Sequence, residues 1–526
     1  MSKSITIALF LIIIGITEPF AFALYAPHQL IVPKDYSTIQ QAIDKSGPQD
    51  IIIVNAGTYT ENLTANRPIQ IEGTKDGQTT IKGSLTINIA DHKNDDSSKT
   101  IIKGLNFDGA EKNAITLIGG NIAIEDCIIK DSNANGINLD KTAKADIQNC
   151  RISNCKNYGI ITYKTTNTSI VECQTENCSQ IGIYAYEANN VTIAACDANN
   201  CKNYGISAYL SNNIFIENCQ TTNSFQNGIY ICETGTAQIK ECNISKSAND
   251  GISAYQTNNI SIEMCTVVDN AWNGIYVCDT NTIFIEDCNI INNSTTGIYL
   301  SYGKSSNPTE ITIKKNSCQN NGVLGIAVWN STCPACISEN TLQYNAEGGL
   351  NLYGTVFVSV DKNKVERNGG SGINVWQTKK NVNITNNSIC RNLYYGINVI
   401  EGGMATIKSN RVEENDCEGL MVSDSNSTAK VIDNVFRENY PVGIMFLKAA
   451  TGEIRNNECT GHSWSGIAIR GAGTNPVISG NKCINNRGWG ILYWDGAKPS
   501  ISNDNITENN TLGGIKEKPK TNIFDL

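Results

Sequence analysis

The sequence is poor in histidine, in methionine and in long hydrophobic runs. It has 3 histidines and 5 methionines in 526 residues. So few histidines leave little scope for imidazole catalysis or for a histidine metal cage. Basic residues are also in the minority, with 41 Lys and Arg against 50 Asp and Glu and a net charge of −9. That balance disfavours a nucleic-acid backbone or an anionic membrane surface as a partner, and a polyanionic glycan would need bridging cations.

The one long apolar run lies at the start of the chain. Lys3 precedes the apolar residues 5–16, and Ala21-Phe22-Ala23 forms a small-x-small cleavage site. Residues 1–23 therefore predict a secretory signal peptide. An uncleaved membrane anchor is the alternative, but the run is shorter than the roughly 20 residues that a span needs. We expect an exported protein, secreted, periplasmic or at the cell surface, with no membrane span once the signal is removed.

Cysteine, in contrast, is abundant, and its spacing organises the chain. Eight cysteines recur every 23 residues, and nine asparagines then continue the same position. The column consists of Cys127, Cys150, Cys173, Cys196, Cys219, Cys242, Cys265 and Cys288, followed by Asn316, Asn340, Asn363, Asn387, Asn410, Asn434, Asn457, Asn481 and Asn505. So regular a period predicts one long solenoid, because repeat arrays grow without splitting into separate cores. We expect this solenoid to be a monomer.

A second repeat, of the form Asn-Gly-Ile, gives the register. Its glycines run from Gly136 to Gly514 at steps of 23 or 24, with one step of 28 between Gly297 and Gly325. The longer step predicts an insertion around residues 302–309. Residues one and three positions after each glycine are predicted to point inward, and those two and four positions after it outward. A second inward corner lies four residues before each glycine, where cysteine and serine give way to asparagine.

The segment before the repeats predicts a cap. Ser37 or Thr38 can cap a short helix with an apolar stripe. The stripe is Ile39, Ala42 and Ile43. An amphipathic helix here would cover the open end of the solenoid, which otherwise exposes unpaired strand edges. We therefore divide the mature chain into an N-terminal cap with the first coils, residues 24–73, and a repeat region, residues 74–526, with irregular structure expected over 74–113.

These features together resemble the right-handed parallel β-helix superfamily. The resemblance is carried by the asparagine ladders, the N-G-I units, the turn Gly57-Thr58-Tyr59 and the opening Asp35-Tyr36-Ser37-Thr38-Ile39-Gln40-x-Ala42-Ile43. It implies an all-β fold, a single right-handed parallel β-helix with an N-terminal capping helix. The chain is most similar to the branch of carbohydrate-binding and sugar-hydrolase repeat proteins and of periplasmic copper-accessory proteins of nitrous oxide reductase. The superfamily includes lyases, hydrolases, epimerases, esterases and non-catalytic surface proteins, so the resemblance does not imply one activity.

The cysteine column could hold disulfides or free thiols. Parallel strands lie about 4.8 Å apart, within the Cα separation that a disulfide accepts, so neighbouring coils could be bridged. Reduced thiols that stack as small hydrophobic groups are the favoured alternative. Cys333-Pro334-Ala335-Cys336 has the spacing of a redox motif but leads into a strand, not a helix, so we expect a local structural disulfide there.

Outward aromatic residues favour a binding function. Four positions after the repeat glycine lie Tyr163, Tyr186, Tyr209, Tyr255, Trp329, Tyr353, Trp376 and Trp494, and two positions after it lie Tyr184, Tyr230, Tyr276 and Tyr299. Rings repeated at about 4.8 Å per coil form a platform for successive rings of an extended polysaccharide. Strand propensity and cross-strand stacking, about 0.2–1 kcal/mol per pair, are the alternative explanation. The tryptophans favour binding, because an exposed tryptophan is harder to justify structurally.

Carboxylates recur one position later along the chain. Glu401 and Asp424 fall in adjacent coils and are predicted to lie about 5 Å apart, which suits a retaining glycosidase pair or a calcium site. Lys448 continues the column in the next coil, and Arg470 lies one position away in the coil after it. These four are the candidate catalytic residues, and a solvated charge row of little net value is the alternative. Calcium is the one cofactor that the pattern suggests, and no other metal site is predicted.

Signature motifs of the known enzymatic branches are not intact in this sequence. Neither the N-T-D, D-D, G-H-G and R-I-K set of polygalacturonase-like enzymes nor the D-P-H-D of mannuronan epimerases is present. Gly461-His462-Ser463 is the nearest approach, but His462 replaces an asparagine of an inward column, which favours a stacking role. We predict an exported protein that binds an extended polysaccharide and, as a lyase or hydrolase, could cleave it. A non-catalytic glycan-binding or surface scaffold and a metal-delivery accessory protein are the alternatives.

Overall fold

The computed structural model describes residues 27–74, 78–90, 99–303 and 308–518. Over these residues the chain forms one right-handed parallel β-helix of about 21 turns, with one α-helix near its start. The predicted all-β solenoid is therefore confirmed. The predicted signal peptide, residues 1–23, lies outside the described residues, as do residues 304–307 of the predicted insertion.

Each coil contributes one strand to each of three parallel sheets. Sheet 1 consists of Gln29–Val32, Ile51–Val54, Gln70–Glu72, Lys99–Lys103, Asn121–Glu125, Lys144–Gln148, Asn167–Val171, Asn189–Ala194, Asn212–Glu217, Thr236–Lys240, Asn259–Glu263, Thr282–Glu286, Glu310–Lys314, Ala335–Ser338, Val358–Asp361, Val382–Thr385, Met404–Lys408, Thr428–Ile432, Thr451–Arg455, Val477–Ser479 and Ser500–Ile501. Sheet 2 consists of Gly57–Tyr59, Thr79–Ile81, Asn106–Asp108, Ile128–Lys130, Arg151–Ser153, Gln174–Glu176, Asp197–Asn199, Gln220–Thr222, Asn243–Ser245, Thr266–Val268, Asn289–Ile291, Ser317–Gln319, Thr341–Gln343, Lys364–Glu366, Ser388–Cys390, Arg411–Glu413, Val435–Arg437, Glu458–Thr460 and Lys482–Ile484. Sheet 3 consists of Leu63–Ala65, Leu85–Asn88, Ile115–Ile118, Ile137–Asp140, Ile160–Tyr163, Ile183–Tyr186, Ile206–Tyr209, Ile229–Cys232, Ile252–Tyr255, Ile275–Cys278, Ile298–Ser301, Leu324–Trp329, Gly348–Tyr353, Ser371–Trp376, Ile397–Ile400, Leu420–Ser423, Ile444–Leu447, Ile467–Arg470, Trp489–Trp494 and Gly513–Glu517.

The pairing register returns each sequence position to the same place in every coil. In sheet 3, Tyr163 lies opposite Tyr186, and Tyr186 lies opposite Tyr209. Ile183 and Ala185 of the same sheet are buried, which confirms the predicted inward positions. Alternation then places the residues between them on the outer face, so columns of the sequence become ladders on the surface.

The column of cysteines and asparagines lies at the buried corner between sheet 1 and sheet 2. Its cysteines lie at this corner as free, buried thiols, and their reduced state in solution stays a prediction. In the asparagine half, the side-chain amide of each residue donates to the side-chain oxygen of the next, at 3.0 Å from Asn363 to Asn387 and 2.9 Å from Asn387 to Asn410. A second ladder begins at Asn270, at the corner between sheets 2 and 3, where the same bond to Asn293 is 2.9 Å. Both ladders satisfy polar groups that the core would otherwise leave unpaired.

A third buried ladder at the corner between sheets 3 and 1 was missed by the sequence analysis. It is made of small hydroxyl residues, most of them six positions after the repeat glycine and two, Ser427 and Thr474, eight positions after it. Its members include Thr142, Thr165, Ser211, Thr234, Thr257, Thr280, Ser331, Thr355, Thr378, Ser427 and Thr474, all almost fully buried. The Thr234 hydroxyl, for example, donates to the Cys232 carbonyl at 3.1 Å. Serine and threonine are common throughout this chain, so their column does not stand out in the sequence.

The repeat glycines are required by the close approach of neighbouring coils. A Cβ on Gly182 would lie 2.7 Å from the carbonyl oxygen of Gly205 and 2.5 Å from the hydroxyl of Thr175. Real Cβ atoms do not tolerate contacts this short, so no other residue fits without moving the backbone. The glycine therefore fixes where each strand of sheet 3 begins.

The N-terminal helix was predicted correctly. It spans Ile39–Lys45, is capped by the hydroxyl of Thr38, and buries Ile39, Ala42 and Ile43. The first two helical N–H groups donate to the carboxylate of Glu61, each at 3.0 Å, which is the favourable place for a negative charge. No helix within the described ranges is long and apolar enough to cross a membrane.

Two local expectations were wrong. The described residues between 74 and 113 are not irregular, because strands such as Thr79–Ile81, Leu85–Asn88 and Lys99–Lys103 already continue the three sheets there. Their turns differ in length from the later coils, which hides the period. The expected disulfide between Cys333 and Cys336 is not formed, because Cys336 points outward from sheet 1 and Cys333 is buried.

Candidate functional site

The outer face of sheet 3 carries two columns of side chains in which large rings alternate with small residues. Tyr230 stands beside Cys232 in one coil, and Ser253 stands beside Tyr255 in the next. Coils lie only about 4.8 Å apart, so two rings in every coil would crowd the face, and a small neighbour leaves each ring its space. Both columns were predicted from the sequence, but the alternation of rings and small residues between them was not.

The rings form two runs along the face. In the first run, Tyr163, Tyr186 and Tyr209 stack with centroid separations of 5.3 and 5.7 Å and interplanar angles of 20° and 5°. Tyr184 is parallel to Tyr186 at 5.8 Å, and Tyr158 lies 5.2 Å from Tyr184. The rings of the first run therefore turn their faces to one another and their edges and hydroxyls to solvent.

The second run has a different geometry. It connects Tyr204, Tyr230, Tyr255, Tyr276, Tyr299, Trp329 and Tyr353. From Tyr255 onward the rings are mostly tilted, by 77° between Tyr299 and Trp329 and by 51° between Trp329 and Tyr353. A tilted ring cannot cover its neighbour fully, so part of each face is open. Trp329 is 38% exposed.

Partial burial keeps the tyrosine hydroxyls neutral. Desolvation is the largest cause that raises the pKa of Tyr184, Tyr230, Tyr255 and Tyr276 above the ordinary value of a phenol. A neutral phenol both donates and accepts hydrogen bonds. The face therefore offers a regular row of apolar rings with uncharged polar groups at their edges.

A cleft of about 470 Å³ separates the two runs. It is lined by Tyr158, Ile181, Tyr184, Asn203, Tyr204, Ser207, Tyr209, Tyr230, Cys232 and Glu233. Ser207 lies opposite Tyr184 on one side and Tyr230 on the other, so the cleft occupies the space that a tyrosine at position 207 would fill. The hydroxyl of Tyr209 donates to Glu233 Oε1 at 3.4 Å at one end. This cleft was not predicted from the sequence, because it is formed by a small residue, Ser207, between large residues of the neighbouring coils.

A buried carboxylate lies beneath the second run. Asp250 is 3% exposed, and it accepts hydrogen bonds from the Ser253 hydroxyl at 2.8 Å and from the Asn273 side chain at 2.9 Å. Burial raises the pKa of Asp250, and these bonds act in the opposite direction. Asp250 thereby fixes Ser253 and the turn that carries Asn273, so its role is to position the backbone under the rings.

The structure separates two of the predicted tryptophans from the second run. Trp376 follows Tyr353 in register, but its indole N–H is buried and has no hydrogen-bond partner among the described residues. Trp494 is 7% exposed, belongs to a small buried cluster outside the main core, and has its ring 5.4 Å from that of Trp464. It does not offer the open face that was expected of it. The other six predicted binding residues belong to the two runs.

The four candidate catalytic residues are only partly brought together. The backbone N–H of Glu401 donates to Asp424 Oδ2 at 3.4 Å, and Lys448 Nζ lies 3.9 Å from Asp424 Oδ1. Arg470 does not join them, because its Nε pairs with Asp495 Oδ2 at 2.8 Å. Glu401, Asp424 and Lys448 therefore form one contact group, and Arg470 belongs to another.

This contact group lies at a corner and not on a strand. Glu401, Asp424 and Lys448 have φ values of 50°, 85° and 54°, so they occupy the left-handed turn that joins sheet 3 to sheet 1. The Asp424 side chain is 38% exposed and that of Lys448 71%. Exposed ion pairs contribute little to stability, and hydrated carboxylates lack the desolvation that tunes a general acid. Within the described ranges, no group of three or more His, Cys, Asp and Glu side chains is arranged to hold a metal ion.

Comparison with known proteins identifies the architecture. Residues 88–240, 211–365 and 371–518 match the family model described as right handed beta helix region. The A-module of mannuronan C-5 epimerase AlgE6 from Azotobacter vinelandii is 15% identical, with 65% of this chain and 94% of that chain covered and a TM-score of 0.38. The catalytic domain of a GH87 alpha-1,3-glucanase in complex with nigerose is 11% identical, with 66% of each chain covered and a TM-score of 0.39. Pre-mature bacteriophage phi29 gene product 12 is 13% identical, with 91% of this chain and 70% of that chain covered and a TM-score of 0.39. No curated protein matches the chain.

Proposed function

The chain belongs to the right handed beta helix region family, and from that premise we propose that it binds an extended polysaccharide along the outer face of sheet 3. The observation that carries the proposal is the row of rings on this face, in which Trp329 keeps 38% of its surface in solvent. From Tyr163 to Tyr353 the two runs span nine coils, roughly 38 Å at the spacing of parallel strands. A ligand for such a face must be long and must repeat.

The chemistry of the face fits sugar rings. The C–H face of a pyranose carries a slight positive charge and packs on the negative face of an aromatic ring. The neutral tyrosine hydroxyls at the ring edges can donate to and accept from sugar hydroxyls. The net charge of −9 disfavours a nucleic acid, the other common polymer with stackable rings.

Trp329 is the ring of the second run that favours binding. Stacked and edge-to-face pairs both stabilise a sheet, but in the first run Tyr186 and Tyr209 are nearly parallel and cover each other's faces. Trp329 instead stands at 77° to Tyr299 and keeps 38% of its surface in water. Binding a ligand would remove that apolar surface from solvent.

The test is a panel of purified polysaccharides, scored for binding to the full chain by calorimetry. We expect Trp329→Ala to weaken binding about tenfold or more, since stacked aromatic residues dominate such contacts. Phe215→Ala is the matched control, because Phe215 is similarly exposed, at 42%, but lies on the outer face of sheet 1. Binding to no member of the panel, or equal losses in the two variants, would contradict the proposal.

Cleavage of the bound chain stays a prediction. Glu401, Asp424 and Lys448 are in contact, but they are solvent-accessible at a turn. The same panel, monitored for reducing ends and unsaturated products with Glu401→Gln and Asp424→Asn as controls, decides between an enzyme and a non-catalytic scaffold. If both variants retain turnover, Glu401 and Asp424 are not catalytic residues.

Export and oligomeric state are likewise proposals. Export is supported by the apolar run and the Ala21-Phe22-Ala23 site in the sequence. We expect the mature protein to begin at Leu24, which N-terminal sequencing of the exported product would show. We expect a monomer, which light scattering at several protein concentrations would check.

A further inference from the structure

The cleft at Ser207 differs from the rest of sheet 3 because it is a gap in the row of aromatic rings. One wall is the Tyr158 and Tyr184 pair, and the other is the Tyr204 and Tyr230 pair, which stacks at 4.4 Å with an interplanar angle of 10°. Four rings therefore surround a floor set by Ser207. The volume of about 470 Å³ lies within the range of sites for small molecules.

The electrostatics of this cleft favour a positively charged group. Among its ten lining residues, Glu233 alone carries a formal charge at neutral pH. Burial raises the pKa of Tyr184, Tyr204, Tyr230 and Cys232, so these groups stay neutral. The Glu233 carboxylate therefore attracts a cation into an otherwise uncharged lining, and electron-rich aromatic rings add to that attraction.

The carboxylate of Glu233 is available to a ligand. In the same corner column two coils earlier, Glu187 is neutralised by Lys164, whose Nζ lies 3.2 Å from it. Glu233 instead stands between the corner residues Leu210 and Gln256, and its contact among the described residues is the neutral hydroxyl of Tyr209 at 3.4 Å. Glu187 is thus compensated, whereas Glu233 faces the cleft without a cationic neighbour among the described residues.

We propose that the Ser207 cleft is a subsite for an amino sugar, and that it binds the protonated amino group of one unit of the polysaccharide against Glu233 and the four tyrosine rings. The assignment rests on the proposed glycan-binding function and specifies its substrate class as a chain containing 2-amino-2-deoxy sugars with free amines. The sugar ring occupies the space of the missing tyrosine, and the flanking units continue onto the two runs of rings.

The experiment measures binding of a glucosamine trisaccharide to the full chain by calorimetry. The N-acetylglucosamine trisaccharide, which has the same rings without the positive charge, is the matched ligand, and choline is a second source of an organic ammonium. We expect the glucosamine trisaccharide to bind at least tenfold more tightly than its acetylated form. Its affinity should fall with added salt and with rising pH, as the amines lose their protons.

Two pairs of variants locate the site. Ser207→Tyr fills the cleft and should abolish binding, while Asn138→Tyr, the same ring at the equivalent position three coils earlier and outside the cleft, should leave affinity unchanged. Tyr184 beside Tyr186 shows that one coil can hold two rings on this face, and circular dichroism of Ser207→Tyr checks that the fold is retained. Glu233→Gln should weaken binding about fivefold, while Glu187→Gln, outside the lining, should have no effect.

The outcomes distinguish the amino-sugar subsite from the proposed binding of a polysaccharide along sheet 3. Binding of the trisaccharide that survives Trp329→Ala and is lost in Ser207→Tyr supports the cleft even if no long polysaccharide binds. Equal affinity for the glucosamine and N-acetylglucosamine trisaccharides, or full binding by Ser207→Tyr, overturns the assignment while leaving the glycan-binding face intact. Choline binding without glucosamine binding would also overturn it, because the ammonium recognised would not belong to a sugar.

Discussion

His462 offers a sharp test of the buried ladders. It replaces an asparagine in the column at the corner of sheets 2 and 3, and it is fully buried. Asn439 N–H donates to His462 Nδ1 at 3.1 Å, and His462 N–H donates to Asn486 Oδ1 at 3.0 Å. Burial lowers the pKa of His462 from 6.5 to about 4, because the charged ring would lose its hydration. The substitution to consider is His462→Asn, which restores the ladder and removes the titration.

The sign and size of the effect follow from proton linkage. Above pH 6.5, His462 is neutral in both states and contributes no pH dependence. Between pH 6.5 and about 4, the unfolded chain takes up a proton that the folded chain does not, so the free energy of unfolding falls as the pH falls. The difference of about 2.5 pKa units amounts to about 3 kcal/mol. His462→Asn should therefore gain about 3 kcal/mol of stability over the parent between pH 8 and pH 4, in addition to what the restored ladder contributes at pH 8.

The assay is urea unfolding followed by tryptophan fluorescence at intervals of half a pH unit. Hydrogen exchange of amides in the coils around residue 462 reports the same difference locally, which matters because long repeat arrays do not always unfold in one step. Other groups change the pH dependence of both proteins alike, so the difference between the two curves isolates His462. Parallel curves from pH 8 to pH 4 would refute the reasoning, as would a gain that is already complete at pH 8.

Three further predictions follow from the same contacts. Asn387→Ala removes an amide that accepts from Asn363 and donates to neighbouring carbonyls, so local stability measured by hydrogen exchange should fall by about 3 kcal/mol. The control Asn383→Ala, on the exposed face of sheet 1, should change stability by less than about 0.5 kcal/mol. Equal losses in the two variants would contradict a stabilising role of the ladder. Iodoacetamide should modify exposed Cys336 in the folded protein and leave Cys318 unmodified, because burial raises the pKa of the Cys318 thiol and excludes the reagent. Equal labelling rates of the two cysteines, measured by peptide mapping, would contradict a closed core. Calcium should raise the melting temperature by binding the carboxylates of Glu401 and Asp424, and Asp424→Asn should cancel the rise; a shift retained by that variant would place the ion elsewhere.

The sequence predicted the interior better than the surface. Cys173 and Asn387 occupy equivalent corners in different coils, and a period of 23 residues was enough to assign them, because a buried position tolerates few residue types. Glycines such as Gly182 fixed the register for the same reason, since the approach of the next coil excludes a side chain. Positions that many small residues can fill, such as the threonine ladder at Thr234, gave no signal.

The candidate site was harder to predict because it depends on neighbours in space. The column of Tyr186 and Tyr209 was found from spacing, but ring orientation depends on the residues beside each ring and not on the period. Ser207 carries no signal by itself, and only the tyrosines of the coils before and after it make a cleft. Trp494 shows the same limit, since its ring lies against that of Trp464, a residue of the preceding coil.

The asparagine ladders also give the molecule a dipole along the axis of the solenoid. From Asn316 to Asn481, each side-chain amide donates to the asparagine oxygen of the next coil and also to a main-chain carbonyl of the preceding coil. Each side-chain oxygen accepts from the preceding coil, and the ladder that starts at Asn270 has the same order. Amide dipoles aligned head to tail add along the axis and polarise one another, as peptide units do in an α-helix. Thiols are weak dipoles, so the change from cysteine to asparagine divides the solenoid into a half with little axial field and a half with a positive pole at its C-terminal end.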